Sequence, residues 1–525
     1  VTSETVVYLI PELVLIGVAT LIYMLGAFLG SQSPKTCRIC TAVAVVGLAV
    51  AAGFLCCPDR AQPETGPLSP GVFGDYVRWL SLGVALLMVM LTGRSTPGTL
   101  VPEYQGTLLM AIAGTMIVAT ASDLVLLFLG LELVSIPTYV LLYIGRRDAA
   151  SQESAVKYFF LSILSSAVLL YGFSFLYGIS GSTDLGVLRE TLKLSPAELG
   201  GGRLLALVAL VLVFAGIGFR ITAVPFHFYA PDVFQGTTNT NAGFLSVLPK
   251  IVGFAALVRI VSVSMPGLEG YGWRVALILS MLTMTLGNVL ALWQDNLRRL
   301  LAYSSIAHAG YMLIGITVGF GMTGATQQSA AFDGIGAVFF YLAVYSVATL
   351  GTFAALTFLG TADRQVNDVD ELAGLARTRP GVAMAIAVFM FSLAGIPPLA
   401  GFWGKLNLFS AALQNTVTMD VAASPPGVLA LRNWLLALVI VGVLNAAIAA
   451  AYYLRIIAVM YFRPSIAVLK GQGGWGAGAA TFVAALITIA IGLYPVKLID
   501  ESTKAGASVY DERAKPAADV QVAER

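Results

Sequence analysis

The chain alternates long apolar stretches with short polar ones. Fourteen apolar stretches, bounded by charges or by Pro and Gly clusters, fall near 7–29, 39–56, 77–92, 106–120, 123–144, 155–178, 204–223, 241–263, 273–293, 301–320, 334–359, 382–410, 431–458 and 479–498. About 20 apolar residues cross a bilayer as a helix. The third and fourth stretches are short, and no alternating repeat of about ten residues suggests a barrel. The pattern predicts an all-α, polytopic membrane protein with about 14 transmembrane helices. Segment 226–236, after Pro225, is too short to span. The connection 57–76 is rich in Pro, and 179–203 is polar enough to hold a surface helix. The first charges, Glu4 and Glu12, do not make the basic flank of a cleaved signal peptide. The last 25 residues, rich in Lys, Asp, Glu and Ala, read as a soluble tail.

Composition agrees with a lipid solvent. Of 525 residues, 58% are apolar and 11% charged, where a soluble domain carries roughly 25%. A large water-soluble enzyme is excluded, because so few charges cannot coat one. The net charge of +2 gives no bulk field that would draw nucleic acid.

Lys and Arg in the loops set the orientation. Lys35, Arg38, Arg94, Arg146, Arg147, Arg298, Arg299, Arg364, Arg377, Arg379, Arg463 and Lys470 follow odd-numbered spans. Only Arg60, Arg189, Lys193, Arg203, Arg274 and Arg432 follow even-numbered ones, the tail set aside. The excess places both termini on the external, periplasmic side of a cell inner membrane. Arg78 and Arg455 lie too near span boundaries to assign. Cys37, Cys40, Cys56 and Cys57 are the only cysteines. Cys40 and Cys56 are separated by roughly 24 Å of helix, so the two pairs cannot share a metal and read as small hydrophobes.

Two segments resemble each other: Phe219-Arg220-Ile221-Thr222-Ala223-Val224-Pro225-Phe226 and Phe391-Ser392-Leu393-Ala394-Gly395-Ile396-Pro397-Pro398. Each closes a long apolar run with proline, which breaks a helix. In the following span of each half, Ala255-Ala256-Leu257-Val258-Arg259 resembles Ala451-Tyr452-Tyr453-Leu454-Arg455. Spans seven and eight then pair with twelve and thirteen. An odd offset of five implies two inverted five-helix repeats, each with a broken helix.

Ionisable groups within the apolar runs are expensive there and mark function. Glu132 lies roughly 14 Å into span five, too deep for a short side chain to reach water. Lys250, after Pro249, is equally deep in span eight, and an ammonium taken from water can exchange its proton near neutral pH. Arg220 ends the apolar part of span seven and acts as a fixed positive charge, since arginine does not release its proton. Lys405 follows the Pro397-Pro398 break and reads as channel lining. Lys157, near the start of span six, is placed to snorkel or to line a path. His227, at the first break, and His308, inside span ten, are candidate proton relays, each weighed against a structural histidine. No cysteine set for an iron–sulfur cluster and no dinucleotide fingerprint is present. The protein therefore moves ions on energy supplied from elsewhere.

Four longer motifs identify a family. They are Pro225-Phe226-His227-Phe228-Tyr229-Ala230-Pro231-Asp232-Val233-Phe234-Gln235-Gly236, Phe244-Leu245-Ser246-Val247-Leu248-Pro249-Lys250, the stretch from Trp293 through Tyr311, and Gly395-Ile396-Pro397-Pro398-Leu399-Ala400-Gly401-Phe402-Trp403-Gly404-Lys405. They resemble the antiporter-like membrane subunits of respiratory complex I, and among these the N-type. The resemblance covers about 120–465. It implies helices 1–3 over 1–105, antiporter-like repeats over 106–263 and 273–463, and a last helix with a polar tail over 479–525. It implies a proton path through Glu132, Lys157, Arg220, Lys250 and Lys405, with His227 and His308 assisting and helix breaks at Pro225, Pro397 and Pro398. It further implies coupling to quinone reduction elsewhere in the complex, and contact with the M and K subunits, with J nearby, and with lipid. No cofactor is expected in this chain; FMN, iron–sulfur clusters and quinone would be bound by other subunits. The family usually has lysine where this chain has Arg220. Two alternatives remain: an Mrp-type cation/proton antiporter subunit, and an assembly spacer with a vestigial channel.

Overall fold

In the computed structural model the described residues run from 3 to 514, apart from 32, 58–62, 64–65, 93–99, 147, 195–198, 322–332, 361–364, 419–425, 466–470 and 472. Arg60, Arg94, Arg147, Arg364 and Lys470 lie outside them. The described residues are helical almost throughout, with only isolated bridges besides. The helices used below are α1 (Ile10–Leu29), α2 (Pro34–Leu55), α3 (Val72–Leu91), α4 (Val101–Thr120), α5 (Leu124–Gly145), α6 (Ala149–Ser180), α7 (Leu185–Lys193), α8 (Gly202–Arg220), α9 (Ala230–Gly236), α10 (Asn239–Leu257), α11 (Glu269–Leu292), α12 (Leu297–Gly321), α13 (Gly334–Leu359), α14 (Pro380–Ala394), α15 (Ala400–Thr418), α16 (Pro426–Phe462), α17 (Trp475–Leu493) and α18 (Val496–Ala514).

Twelve helices among the described residues are long and apolar enough to cross a membrane. The remaining expected stretches resolve differently. The stretch at 106–120 belongs to α4, which is long enough but more polar, with Glu103 in its first turn. The stretch at 382–410 is divided into α14 and α15. The stretches at 77–92 and 106–120 both begin about a turn earlier than hydropathy alone suggests. Asp75 and Glu103 occupy those first turns, where a carboxylate favours the helix. The polar connection 179–203 contains α7, whose N-cap Asp184 accepts from the backbone of Gly186 and Val187.

Burial sorts the helices. Over their apolar windows α10, with the π-helical turn Val258–Val263 that continues it, is 100% buried, α12 94% and α13 89%, against 28% for α1 and α2. Outer helices turn Leu, Val and Phe outward, while the three inner helices pack against one another. A helix enclosed on all sides has no lipid-facing side, so any polar group on it meets protein.

The stretch read as a soluble tail is different in the structure. Up to Ala514 it is α18, with Ser502, Ala505 and Val509 buried. Its small and apolar residues recur at helical spacing and give it one packed face, which its charge-rich composition conceals. The carboxylate of Glu512 meets Arg259 Nη1 at 2.7 Å through both oxygens and accepts from Ser69 Oγ at 2.5 Å. Arg259, in the π-helical turn after α10, also donates to the Ala119 carbonyl at 2.9 Å. Tyr510 donates to Asp333 at 2.8 Å. Arg78 is also internal, paired with Glu12 at 2.7 Å with both side chains buried.

Candidate functional site

Arg220 is the last residue of α8, where a cation complements the helix end. Its Nη2 lies 2.9 Å from Glu132 Oε1, and its Nη1 donates to Ser135 Oγ at 2.5 Å and the Leu131 carbonyl at 3.2 Å. Ser166, from α6, donates to the same Glu132 oxygen at 2.5 Å. Glu132 keeps 22% exposure and Arg220 5%. The carboxylate thus lies at the edge of the molecule and the guanidinium within it. Gly253 lets α10 pass against this pair: a Cβ there would lie 2.5 Å from Ile221 Cγ2 and 3.5 Å from Arg220 Cβ. The pair therefore abuts the turn of α10 that follows Lys250.

Lys157 takes the water-facing position. It is 41% exposed and pairs with Glu153 at 2.6 Å and Asp232 at 3.4 Å. Asp232 also accepts from Arg299 at 2.6 Å. Glu153, Lys157 and Asp232 line a cavity of about 520 Å³ together with Arg146, Asn296 and Arg298. His227 is half-buried beyond the first break. It makes no side-chain hydrogen bond, among the described residues, to the groups around Lys250.

The interior holds the other members. Lys250 is wholly buried on α10 and donates to Ser305 Oγ at 2.6 Å, which also accepts from Tyr345 at 2.8 Å. His308, one turn along α12 from Ser305, places Nδ1 2.6 Å from the Tyr341 hydroxyl and Nε2 2.9 Å from the Tyr453 hydroxyl. Tyr453 is in turn bonded to Ser304. Tyr311 lies beneath Lys405, whose Nζ is 5.0 Å from the ring centroid.

Both helix breaks leave carbonyls without helical partners, and each is repaired differently. At Pro225 the Tyr229 hydroxyl donates to the Phe219 carbonyl at 3.0 Å. At Pro397 and Pro398, Lys405 folds back from α15 and donates to the carbonyls of Leu393 at 3.0 Å and Ala394 at 2.7 Å, closing the end of α14. Neither Lys250 nor Lys405 forms an ion pair among the described residues. Their hydrogen bonds go to hydroxyl and carbonyl oxygens.

The structure therefore groups Glu132 with Arg220, sets the half-exposed Lys157 at the rim of a cavity, and places the Tyr341–His308–Tyr453 cluster among the residues around Lys250 and Lys405. Sequence reasoning missed Ser305, Tyr341, Tyr345 and Tyr453. A signal existed: Tyr341 and Tyr345 are four apart on one helix, as are Ser304 and His308, and a buried tyrosine hydroxyl needs a partner. Among the described residues, no three His, Cys, Asp or Glu side chains gather as a metal site would require. None of the four cysteines is in a disulfide, and Cys40 lies in the first half of α2 while Cys56 caps its C-terminal end.

A family model described as NADH:quinone oxidoreductase/Mrp antiporter, TM, matches residues 121–429. The NADH-quinone oxidoreductase subunit N of Sphingopyxis alaskensis is 36% identical over 95% of this chain and 98% of its own. A chain in the structure of respiratory complex I from Thermus thermophilus with bound aureothin has a TM-score of 0.73 at 30% identity, covering 94% of this chain and 99% of that one. A chain of the Mrp complex from Dietzia sp. shares the fold, with a TM-score of 0.75 at 21% identity over 97% of this chain and 98% of that one.

Proposed function

The chain belongs to the NADH-quinone oxidoreductase subunit N family, and on that premise we propose that it is a proton-translocating membrane subunit of a quinone-reducing respiratory complex. Quinone reduction takes place in other subunits, which carry FMN and iron–sulfur clusters; this chain has no redox centre of its own. It sits in the cell inner membrane beside the M and K subunits, with J nearby, and both termini face outward. Its fourteen spans include two inverted five-helix units, broken at Pro225 and at Pro397-Pro398.

A signal from a neighbouring subunit reaches Glu132 at the exposed edge. A change of charge there alters the field of Arg220 at the α10 turn beyond Lys250, and hence the proton affinity of Lys250. Lys157 and Asp232 gather protons at the wet rim. Lys250 loads from that side, and the proton moves past His308 to Lys405 and out. Arg220 tunes and does not carry. His227 could join only through water at the first break.

The observation that carries this reading is the setting of Lys250: wholly buried on a wholly buried helix, hydrogen-bonded to the Ser305 hydroxyl, with no ion-pair partner among the described residues. A purely structural lysine would be expected to hold a partner of opposite charge. A lysine that meets only neutral oxygens suits loading and unloading. The higher identity to subunit N than to the Mrp chain favours this reading over a free-standing antiporter. The test is Lys250→Ala in the assembled complex, reconstituted in sealed vesicles. Quinone reduction with proton uptake lost is the expected result. Uptake at the native ratio to quinone reduced would remove the basis of the proposal.

A further inference from the structure

His308 is clamped at both ring nitrogens by phenol hydroxyls, Tyr341 at Nδ1 and Tyr453 at Nε2. Ser304 is bonded to the Tyr453 hydroxyl on its other side. All four side chains are buried. A neutral imidazole has one N–H and one bare nitrogen. One tyrosine must therefore donate to the ring while the other accepts from it. Two arrangements meet this condition. In the first, Ser304 donates to Tyr453, Tyr453 to Nε2, and Nδ1–H to Tyr341. In the second, Tyr341 donates to Nδ1, Nε2–H to Tyr453, and Tyr453 to Ser304. The heavy atoms need not move between the two, and every hydrogen bond reverses.

At each end the chain comes within one residue of a buried lysine or of the group that holds it. Ser304 adjoins Ser305, which accepts from Lys250 at 2.6 Å. The Tyr341 ring rests on Gly404, the residue before Lys405: a Cβ at Gly404 would lie 2.5 Å from Tyr341 Cδ2. Only glycine allows this approach.

We propose that Ser304, Tyr453, His308 and Tyr341 form a reversible hydrogen-bonded chain that passes one proton at a time from the Lys250 side to the Lys405 side and must turn around before passing the next. The proposal rests on the proton-translocation reading above and adds to it the groups that conduct and meter the proton. In the first arrangement, a proton arrives at the Ser304 oxygen. The Ser304 proton moves to Tyr453, the Tyr453 proton to Nε2, the Nδ1 proton to Tyr341, and the Tyr341 proton leaves toward Lys405. One proton enters and one leaves. The ring ends neutral in its other tautomer, and the chain stands in the second arrangement. It cannot conduct again in the same sense until the hydroxyls and the imidazole rotate. The two tyrosines hold the ring at both edges, so that rotation is restrained and the chain works as a one-proton valve. Tyr341 and Tyr453 are thus conducting and positioning residues, and a direct ammonium-to-ammonium transfer is not needed.

The test uses the assembled complex in sealed vesicles, with quinone reduction and proton uptake measured together in H₂O and in D₂O. Tyr341→Phe and Tyr453→Phe keep the ring packing and remove one link each. Tyr104→Phe is the control, since this buried hydroxyl donates to Asn241 at 2.8 Å, outside the chain. Both link variants are expected to lose the same proton uptake that Lys250→Ala loses and to change the deuterium dependence of what remains, whereas the control stays native. A packing defect alone would leave the deuterium dependence unchanged. Native uptake and isotope dependence in both link variants, with uptake lost in Lys250→Ala, would overturn the valve and leave the broader reading standing. Native uptake in Lys250→Ala as well would overturn both. If a link variant does not assemble, Ser304→Ala decides, because it removes the hydroxyl that donates to Tyr453 in the first arrangement and accepts from it in the second; native uptake there also overturns the valve.

Discussion

Arg220 holds four oxygens at once: those of Glu132, Ser135, Ser166 and the Leu131 carbonyl. A lysine could satisfy the charge of Glu132 but not this planar fork. If the guanidinium serves only as a fixed charge, Arg220→Lys keeps proton uptake near native in reconstituted complex. Arg220→Gln leaves Glu132 without a cation and costs about 3 kcal/mol of stability, the scale of breaking a buried ion pair, read as a lower unfolding temperature of the purified complex together with lost uptake. The charged residues were visible in the sequence because each interrupts an apolar run. The tyrosines were not, because a tyrosine among Leu and Phe reads as core, and only the meeting of α12, α13 and α16 shows its hydroxyl turned toward an imidazole. The sequence puts Lys157 near the start of span six but does not decide whether it snorkels or lines a path. Its depth depends on where α9 returns beneath it, and that position brings Asp232 to its ammonium.

At the scale of elements, the divided helix α14–α15 shows how a break is made tolerable. Proline sets the position of the break, and this much was legible in Pro397-Pro398. Which group would close the freed end was not legible, because Lys405 reaches back eleven and twelve residues to the carbonyls of Ala394 and Leu393. Lys405 thus caps α14, and this duty can be separated from the proton exchange proposed for it. Lys405→Gln retains an N–H donor for the carbonyls but no exchangeable ammonium, so assembly is expected to survive while uptake is lost. Lys405→Met removes both and costs a further 1–3 kcal/mol or about that for the unsatisfied acceptors. Thermal unfolding and vesicle uptake of the two variants, side by side, check the separation. Equal destabilisation of both would mean that the ammonium does not cap the helix. The extent of α4 carries a related lesson. Hydropathy shortened it because Glu103 and Gln105 are polar, yet Glu103 favours the helix start and Gln105 donates to Thr41 and Thr92.

Across the whole molecule, the enclosed helices α10, α12 and α13 form a polar axis inside a lipid-facing wall of apolar helices. The spans were legible from hydropathy, since lipid and core both select apolar side chains. For the same reason hydropathy could not separate wall from axis. The fold of the C-terminal segment was hidden by its charge, which α18 spends partly on the Arg259 turn. Glu512→Ala would strip Arg259 of its carboxylate and leave a buried guanidinium, with a loss of about 3 kcal/mol or more. The expected outcome is a lower unfolding temperature and earlier proteolysis after α17, with Lys504→Ala, on an exposed ion pair, as the silent comparison. Arg259 stands about 14 Å along the helix from Lys250, and the α18 side chain that grips it is partly open to solvent. A fluorescent or spin reporter on the outer side of α18 would therefore follow displacements of the lysine-bearing rod during turnover, read from the surface, while leaving the buried lysines, histidine and hydroxyls chemically untouched.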